Sequence, residues 1–422
     1  MSRKVLIITY YWPPSGGAGV QRWVKFAKYL PEFGWEPVIL TIEPEYAAYP
    51  VIDNSLASEV PGSIKIFKTK ARDYFRVYNR DRSKIPSAGF AVNQDDSFRG
   101  KFLRFVRGNF FIPDPRKGWN KYAFRKACEI IEKEDIKYII TTSPPHSTQL
   151  IGLKIRQKYP EIKWIADLRD PWTDIYYYDL FYPTPFSRKI DAGYEKQVLQ
   201  MADSIITVGD SLRRLFITKV PGAESKTNVI SNGFDEEDFT GETIRSEKFI
   251  ITYTGTLSDI YPIGRFLDAL GTLKEQDFTL RFVGSVSPGQ RDLVLSKIKP
   301  DKVQFHNYAP HKDAIRYMRE STALLLIIPD HMTSRSILTG KLFEYIAAGV
   351  PVICLGPVDG DAASILDRTG HGKTFSHYDD SSISSYLGYL ASDPNISLTA
   401  PEGFSRKELT GKLASILNSK QE

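Results

Sequence analysis

Only two cysteines, Cys128 and Cys354, occur in 422 residues. They fall far apart, one in a helix-like stretch and one in a strand-like stretch. That spacing excludes a disulfide framework and a zinc site, and implies buried free thiols in a reducing, cytoplasmic compartment. Long apolar runs are also missing: none reaches the ~18–20 residues needed to span a bilayer. The N-terminal SRKVLIITYYWPP has too short an apolar core for a signal peptide and runs into Pro-Pro-Ser-Gly-Gly without an A-x-A site, so it reads as a first strand. The glycine turn GGAG at 16–19 is not G-x-G-x-x-G, and nothing resembles the P-loop lysine, which weakens NAD and ATPase readings. No RNA- or DNA-binding motif and no internal repeat of 20–50 residues is visible, so nucleic acid is not an expected partner.

What is present is an ordinary soluble composition, 42% hydrophobic and 25% charged, in a length that suits two domains. The net charge of +6 is unevenly placed. Residues 65–126 carry 17 basic against 5 acidic side chains, interleaved with Phe75, Tyr78, Phe98, Phe102, Phe105, Phe110, Phe111 and Trp119. Cations mixed with aromatics suit an anionic membrane surface; the alternative is a solvated basic insertion.

The N-terminal half alternates strands and helices. Strands are expected at Val5–Thr9, Pro37–Thr41, Ile64–Lys68, Tyr138–Thr142, Trp164–Leu168, Ser204–Val208 and Asn228–Ser231. Residues of about 70–118 break this rhythm with Pro86, Pro113 and Pro115, and read as an inserted set of helices and loops. The polar stretch 232–248 reads as a linker, and a second α/β cycle begins at Phe249. The prediction is a doubly wound domain over 1–240, a second over 241–400 and a terminal helix within 401–422.

Residues 333–355, TSRSILTGKLFEYIAAGVPVICL, carry the clearest chemistry. They read as a polar loop, a helix, a Gly-Val-Pro stop and a buried strand. Lys341 and Glu344 are three apart and share a helix face. An ammonium and a carboxylate beside a glycine-containing turn suit a nucleotide, the first for phosphate and the second for ribose hydroxyls. A surface ion pair is the plainer alternative.

GKLFEYIAAGVPVI resembles the donor-binding signature of retaining glycosyltransferases of family 4, the "glycosyl transferase group 1" domain. YYWPPSGGAGVQRWVKFAKYL at 10–30 resembles that family's N-terminal glycine loop and helix, and VISNGFDEEDF at 229–239 its interdomain segment. The resemblance implies a GT-B fold, two Rossmann-like domains facing across a cleft, with the last helix crossing back to the first. It implies a nucleotide-sugar substrate, no separate cofactor, no metal and retention of configuration. Gly16 and Gly17 would face the donor phosphate, with Glu344 on the ribose and Lys341 on the diphosphate.

Other candidates follow from position at strand ends, where open α/β sheets gather ligands. Gly255, Thr256, Gly284, Ser285, Asn307 and Tyr308 are placed to meet the nucleotide, together with Leu342. His146, in TTSPPHS, and Asp170, in DLRDPW, join Lys341 as catalytic candidates. Gln21, Arg22, Asp167, Arg169 and Trp172 are candidates for the acceptor, a glycan or lipid-linked molecule. Two departures from the family stand out. Its first paired glutamate is replaced by Ser336, beside Arg335, and its cations after the first-strand glycine are replaced by Thr256 and Tyr261-Pro262-Ile263. Arg335 and Lys341 would then carry the phosphate charge. The same departures motivate a non-catalytic, membrane-associated partner of a transferase as one alternative. A GT-B sugar-nucleotide epimerase is the other, although the carboxylate and histidine set of that reaction is not recognisable.

Overall fold

The computed structural model describes residues 3–49, 52–72, 74, 97–241, 246, 248–273, 277–331, 333–393 and 395–419. Much of the expected insertion, including Phe75, Tyr78 and Pro86, lies outside the described residues. The chain divides into two compact units, residues 1–231 with 406–422, and residues 232–405.

The first unit holds seven strands: β1 (Arg3–Ile8), β2 (Trp35–Ile42), β3 (Lys65–Thr69), β4 (Tyr138–Ser143), β5 (Lys163–Leu168), β6 (Ser204–Thr207) and β7 (Thr227–Val229). They form one parallel sheet in the order β3-β2-β1-β4-β5-β6-β7. Val5 to Ile8 is continuously apolar because helices cover both faces of such a sheet, so every side chain of β1 is buried there. The helices are α1 (Ala18–Tyr29), α2 (Phe98–Phe110), α3 (Asn120–Glu134), α4 (Gln149–Lys158), α5 (Pro185–Met201) and α6 (Asp210–Lys219). The strand order reverses between β1 and β4, which opens a crevice at their C-terminal ends.

Helix α2 lies inside the stretch expected as an inserted set of helices and loops, and it is docked firmly. A side chain at Gly108 would come within 2.2 Å of the Phe181 carbonyl oxygen, so only glycine permits this approach. The next residue, Asn109, donates to the Tyr182 carbonyl (3.0 Å) and accepts from Thr184 N (2.8 Å) and Ser187 Oγ (2.9 Å). This polar clamp holds the helix, while its stripe of Phe98, Phe102 and Phe105 is exposed.

The second unit contains β8 (Phe249–Thr254), α7 (Gly264–Gly271), β9 (Phe278–Val283), α8 (Pro288–Lys297), β10 (Val303–His306) and α9 (His311–Glu320). It continues with β11 (Ala323–Ile327), α10 (Gly340–Ala347), β12 (Val352–Leu355), α11 (Asp361–Thr369), β13 (Gly372–Phe375) and α12 (Asp380–Ser392). Its parallel sheet runs β10-β9-β8-β11-β12-β13, with the same reversal beside β8. Residues 232–241, expected as linker, are folded into this unit. Phe234 bridges Ser405, Asp235 is buried and Arg319 Nη1 donates to the Thr240 carbonyl at 2.9 Å.

The last helix, α13 (Arg406–Asn418), belongs to the first unit. Leu409, Leu413 and Leu417 recur every four residues and are buried in the same core as Trp23, Phe26 and Trp35. Each such leucine contributes about 2 kcal/mol by burial. Both cysteines are free and buried, and burial pushes the Cys354 thiol up to about 12.

Candidate functional site

In the second unit the site is built on the reversal beside β8. Gly255 and Gly284, which end β8 and β9, hold backbone angles φ of +101° and +132°. A side chain at Gly284 would lie 2.3 Å from the Gly255 carbonyl oxygen, so these two turns stack on each other only as glycines. Thr256, Ser285, Asn307 and Tyr308 form an exposed rim around them. Tyr345, from α10, anchors that helix to the end of β8, its hydroxyl accepting from Thr254 N at 2.9 Å.

This anchoring carries Lys341 over the glycine turn: a Cβ on Gly255 would be 3.4 Å from Lys341 Nζ. The ammonium donates to Tyr253 Oη (3.0 Å) and sits 4.4 Å from the centre of that ring. Among the described residues it has no carboxylate partner within ion-pair distance. Burial pushes its pKa down to about 8, an effect Glu344 partly opposes. A desolvated cation above a turn that carries no side chain is suited to an incoming anion, although the glycines' own N–H groups are engaged, Gly255 N with the Val283 carbonyl (2.8 Å) and Gly284 N with the His306 carbonyl (3.0 Å). Glu344, one turn along α10, is held at 3.0 Å by His311 Nε2, a partner that position in the sequence did not suggest.

Three donor candidates are turned elsewhere. Leu342 is fully buried and can offer a ligand nothing beyond its main chain. Arg335 is spoken for by Asp359 at 2.9 Å, and Ser336 caps its own loop by donating to the Thr333 carbonyl. The expectation that Arg335 shares the phosphate charge with Lys341 is therefore not met in this conformation.

In the first unit Gly17, with φ +104°, precedes α1 and allows the sharp entry into that helix. Gln21 is half-buried one turn along. Arg22 and Asp167 are completely buried and bound to each other at 3.2 Å. Asp167 also accepts from Trp23 Nε1 (2.9 Å) and Thr142 Oγ1 (2.7 Å), while Arg22 donates to the Ser231 carbonyl (2.7 Å). This pair pins α1 to β4, β5 and the chain beyond β7; it is structural and cannot reach an acceptor. Arg169 donates to the Ser143 carbonyl (3.0 Å), and a side chain at Gly19 would come within 2.5 Å of its guanidinium. Trp172, expected to stack on a sugar, is buried; it stacks on His146 instead, with ring centres 4.8 Å apart.

His146 and Trp172 line a small pocket of about 70 Å³, open to solvent, beyond the ends of β1, β4 and β5. Burial pushes the His146 pKa down to about 4, so the ring is neutral at physiological pH. Its Nδ1 is buried with no hydrogen-bond partner among the described residues. Trp172 Nε1 donates to Asp191 (2.7 Å), which Tyr178 Oη also reaches (3.0 Å), and burial pushes Asp191 up to about 6. Asp170, at the end of β5, is likewise shifted up by burial. Tyr11, Arg107, Arg116 and Tyr177 also line the pocket and were missed from sequence. They come from segments more than 60 residues apart, so no local pattern joined them. Among the described residues no cluster of His, Cys, Asp and Glu is arranged to hold a metal ion. No described helix is long and apolar enough to cross a membrane.

Comparison with known proteins bears on both units. Residues 248–393 match the family model described as "Glycosyl transferases group 1". A stretch of 174 residues is 24% identical to the "Putative teichuronic acid biosynthesis glycosyltransferase TuaH" of Bacillus subtilis (strain 168). It spans 40% of this chain and 44% of that relative, so less than half of either is matched. Among solved structures, the lipopolysaccharide outer core galactosyltransferase WaaB aligns over 99% of both chains with a TM-score of 0.60 and 12% identity. A "putative UDP-N-acetylglucosamine 2-epimerase" from Listeria monocytogenes aligns over 100% of this chain and 97% of its own, with a TM-score of 0.58 and 11% identity. Likeness at such low identity concerns the fold, which is GT-B: two Rossmann-like parallel α/β domains, the last helix belonging to the first.

Proposed function

We propose that the protein is a glycosyltransferase that moves a sugar from a nucleotide-sugar donor to a glycan or lipid-linked acceptor during envelope polysaccharide or glycoconjugate synthesis. The observation that carries this reading is the Lys341 ammonium, desolvated and without a carboxylate partner among the described residues, poised over the glycine turns of β8 and β9 with Glu344 one turn further on. That constellation lies within the residues matched to the glycosyltransferase family, and the similarity to an envelope-polysaccharide transferase supports the acceptor class.

In the proposed reaction the bond from the sugar's anomeric carbon to the diphosphate breaks and a bond to the acceptor oxygen forms on the same face, retaining configuration. The acceptor's proton passes to the departing diphosphate oxygen, whose charge Lys341 stabilises. This route uses neither a metal nor a protein nucleophile. Helix α2 supports contact with an anionic membrane at its cytoplasmic face. Phe98, Phe102 and Phe105 share one stripe and are 88%, 56% and 38% exposed, beside the exposed Arg99 and Lys101.

Calorimetric titration of UDP, GDP and ADP tests the donor reading. One of the three is expected to bind at micromolar strength, with about tenfold or greater weakening in Glu344→Ala. Failure of all three to bind overturns the transferase and leaves the non-catalytic partner. That second reading draws on Ser336, Thr256 and the engagement of Arg335 by Asp359.

A further inference from the structure

The first unit's pocket has a chemistry of its own. Two guanidinium groups line it, Arg107 from the last turn of α2 and Arg116 from the 3-10 turn that follows. Arg107 is aimed inward by the Gly108–Asn109 clamp, which brings its guanidinium to 3.9 Å from the centre of the Phe181 ring. Among the described residues it forms no ion pair and no side-chain hydrogen bond, although the Asp114 carboxylate is near enough to favour its charge, so its donors remain available in the pocket wall. The two carboxylates of the lining are both occupied by the wall itself. Asp114 accepts from Arg116 N (2.9 Å), Ser147 N (2.8 Å) and Ser147 Oγ (2.9 Å), and Asp191 accepts from Trp172 and Tyr178.

A half-buried cation with no direct ion pair is costly to hold, and here a second cation lines the same pocket, the two sharing only the more distant Asp114 charge. Burial, and then the Arg116 charge, push the Arg107 pKa down to about 10. Both effects are relieved by an anion. Around the two arginines the wall is ring-rich, with Tyr11, Tyr177, Phe181 and His146, the last backed by Trp172. Flat aromatic faces receive the C–H face of a sugar ring, while a forked guanidinium receives two oxygens of a carboxylate or phosphate.

We propose that this pocket takes an acidic sugar, with its carboxylate or phosphate on Arg107 and Arg116 and its ring against the aromatic wall. Naming that sugar as the acceptor rests on the transferase reading; the anion site itself does not. Carboxylate and phosphate share the chemistry that the arginines recognise, and the test separates them.

The experiment is saturation-transfer NMR titration of the full-length protein with glucuronate, glucose 1-phosphate and glucose. At least one anionic sugar is expected to bind about tenfold or more tightly than glucose, the size of one charge-assisted contact. Arg107→Gln is expected to abolish that preference, and Arg107→Lys, which keeps the charge and loses the fork, to retain part of it. The stronger of the two anions names the source, carboxylate or phosphate. Equal binding of all three sugars by the wild type overturns the proposal. So does an unchanged preference in Arg107→Gln whose thermal unfolding matches the wild type. Nucleotide titration of the same variants keeps the readings apart. Loss of acidic-sugar binding with intact nucleotide binding confines the effect to this pocket. Absent nucleotide binding with intact acidic-sugar selectivity sinks the transferase and leaves the anion site standing.

Discussion

Replacing Lys341 by methionine tests the donor site by a conflict between stability and binding. The stem keeps nearly its length and apolar packing, and only the ammonium is lost. In the folded protein that ammonium is desolvated and its pKa stands at about 8, against an ordinary 10.5. A lysine whose folded pKa is depressed is penalised wherever it is charged in both states. The penalty is therefore complete below about pH 8, and it fades between about 8 and 10.5 as the folded protein sheds its proton first. A shift of that size corresponds to about 3 kcal/mol. The contacts with the Tyr253 hydroxyl and ring return about 1 kcal/mol of it. Lys341→Met is thus expected to stabilise the second unit by about 2 kcal/mol at pH 7, which raises its unfolding midpoint by a few degrees. The advantage should disappear by about pH 10. The same variant should weaken binding of the recognised nucleoside diphosphate about tenfold or more. Calorimetric unfolding at pH 7 and 10, paired with nucleotide titration, reads both quantities. A variant less stable than the wild type at pH 7, or one with unaltered nucleotide affinity, refutes the reasoning.

Gly284→Ala places a Cβ 2.3 Å from the Gly255 carbonyl oxygen at a φ of +132°, so thermal unfolding should show a loss of at least about 2 kcal/mol together with lost nucleotide binding. Asp191 has a folded pKa raised to about 6 by burial, so it holds its proton longer in the folded state. Its contribution falls as pH rises from about 4 to about 6, by about 3 kcal/mol, and Asp191→Asn should flatten that part of the stability profile in denaturant titrations. Phe102→Ser with Phe105→Ser should reduce co-sedimentation with anionic vesicles while leaving nucleotide affinity unchanged; equal pelleting would argue against α2 as the membrane contact.

The stretches that could be read early share one property: their signal is local. The continuous apolar run of β1 and the strand–glycine–helix spacing around Gly17 and Gly255 are set by backbone sterics and by burial on both sheet faces. Lys341 and Glu344 share a face because a helix repeats every 3.6 residues. Helix α2 was less legible because what holds it is Asn109 and the absence of a side chain at Gly108, neither of which leaves a hydrophobic period. The linker at 232–241 looked like solvent-exposed chain, yet Phe234 pairs with the returning segment at Phe404 and Ser405, and Asp235 is buried beside it.

By itself, then, the amino-acid order determined two parallel α/β units, the glycine turns at their strand ends and the lysine–glutamate face of α10, since each follows from chain stereochemistry within a few residues. The tertiary structure decided which polar side chains face a ligand and which are consumed by the fold. Asp167, Arg22 and Trp172 looked available beside a strand end. Asp167 is claimed by Arg22 and Trp23, 145 and 144 residues away, and Trp172 by Asp191, 19 residues on. Arg107 lies in a stretch that read as a basic, aromatic surface for an anionic membrane, and becomes a pocket residue because Phe181 and its neighbours dock beside it. Burial leaves a polar group either paired or costly, and the partner that settles the matter comes from wherever the chain folds back, which no local pattern records.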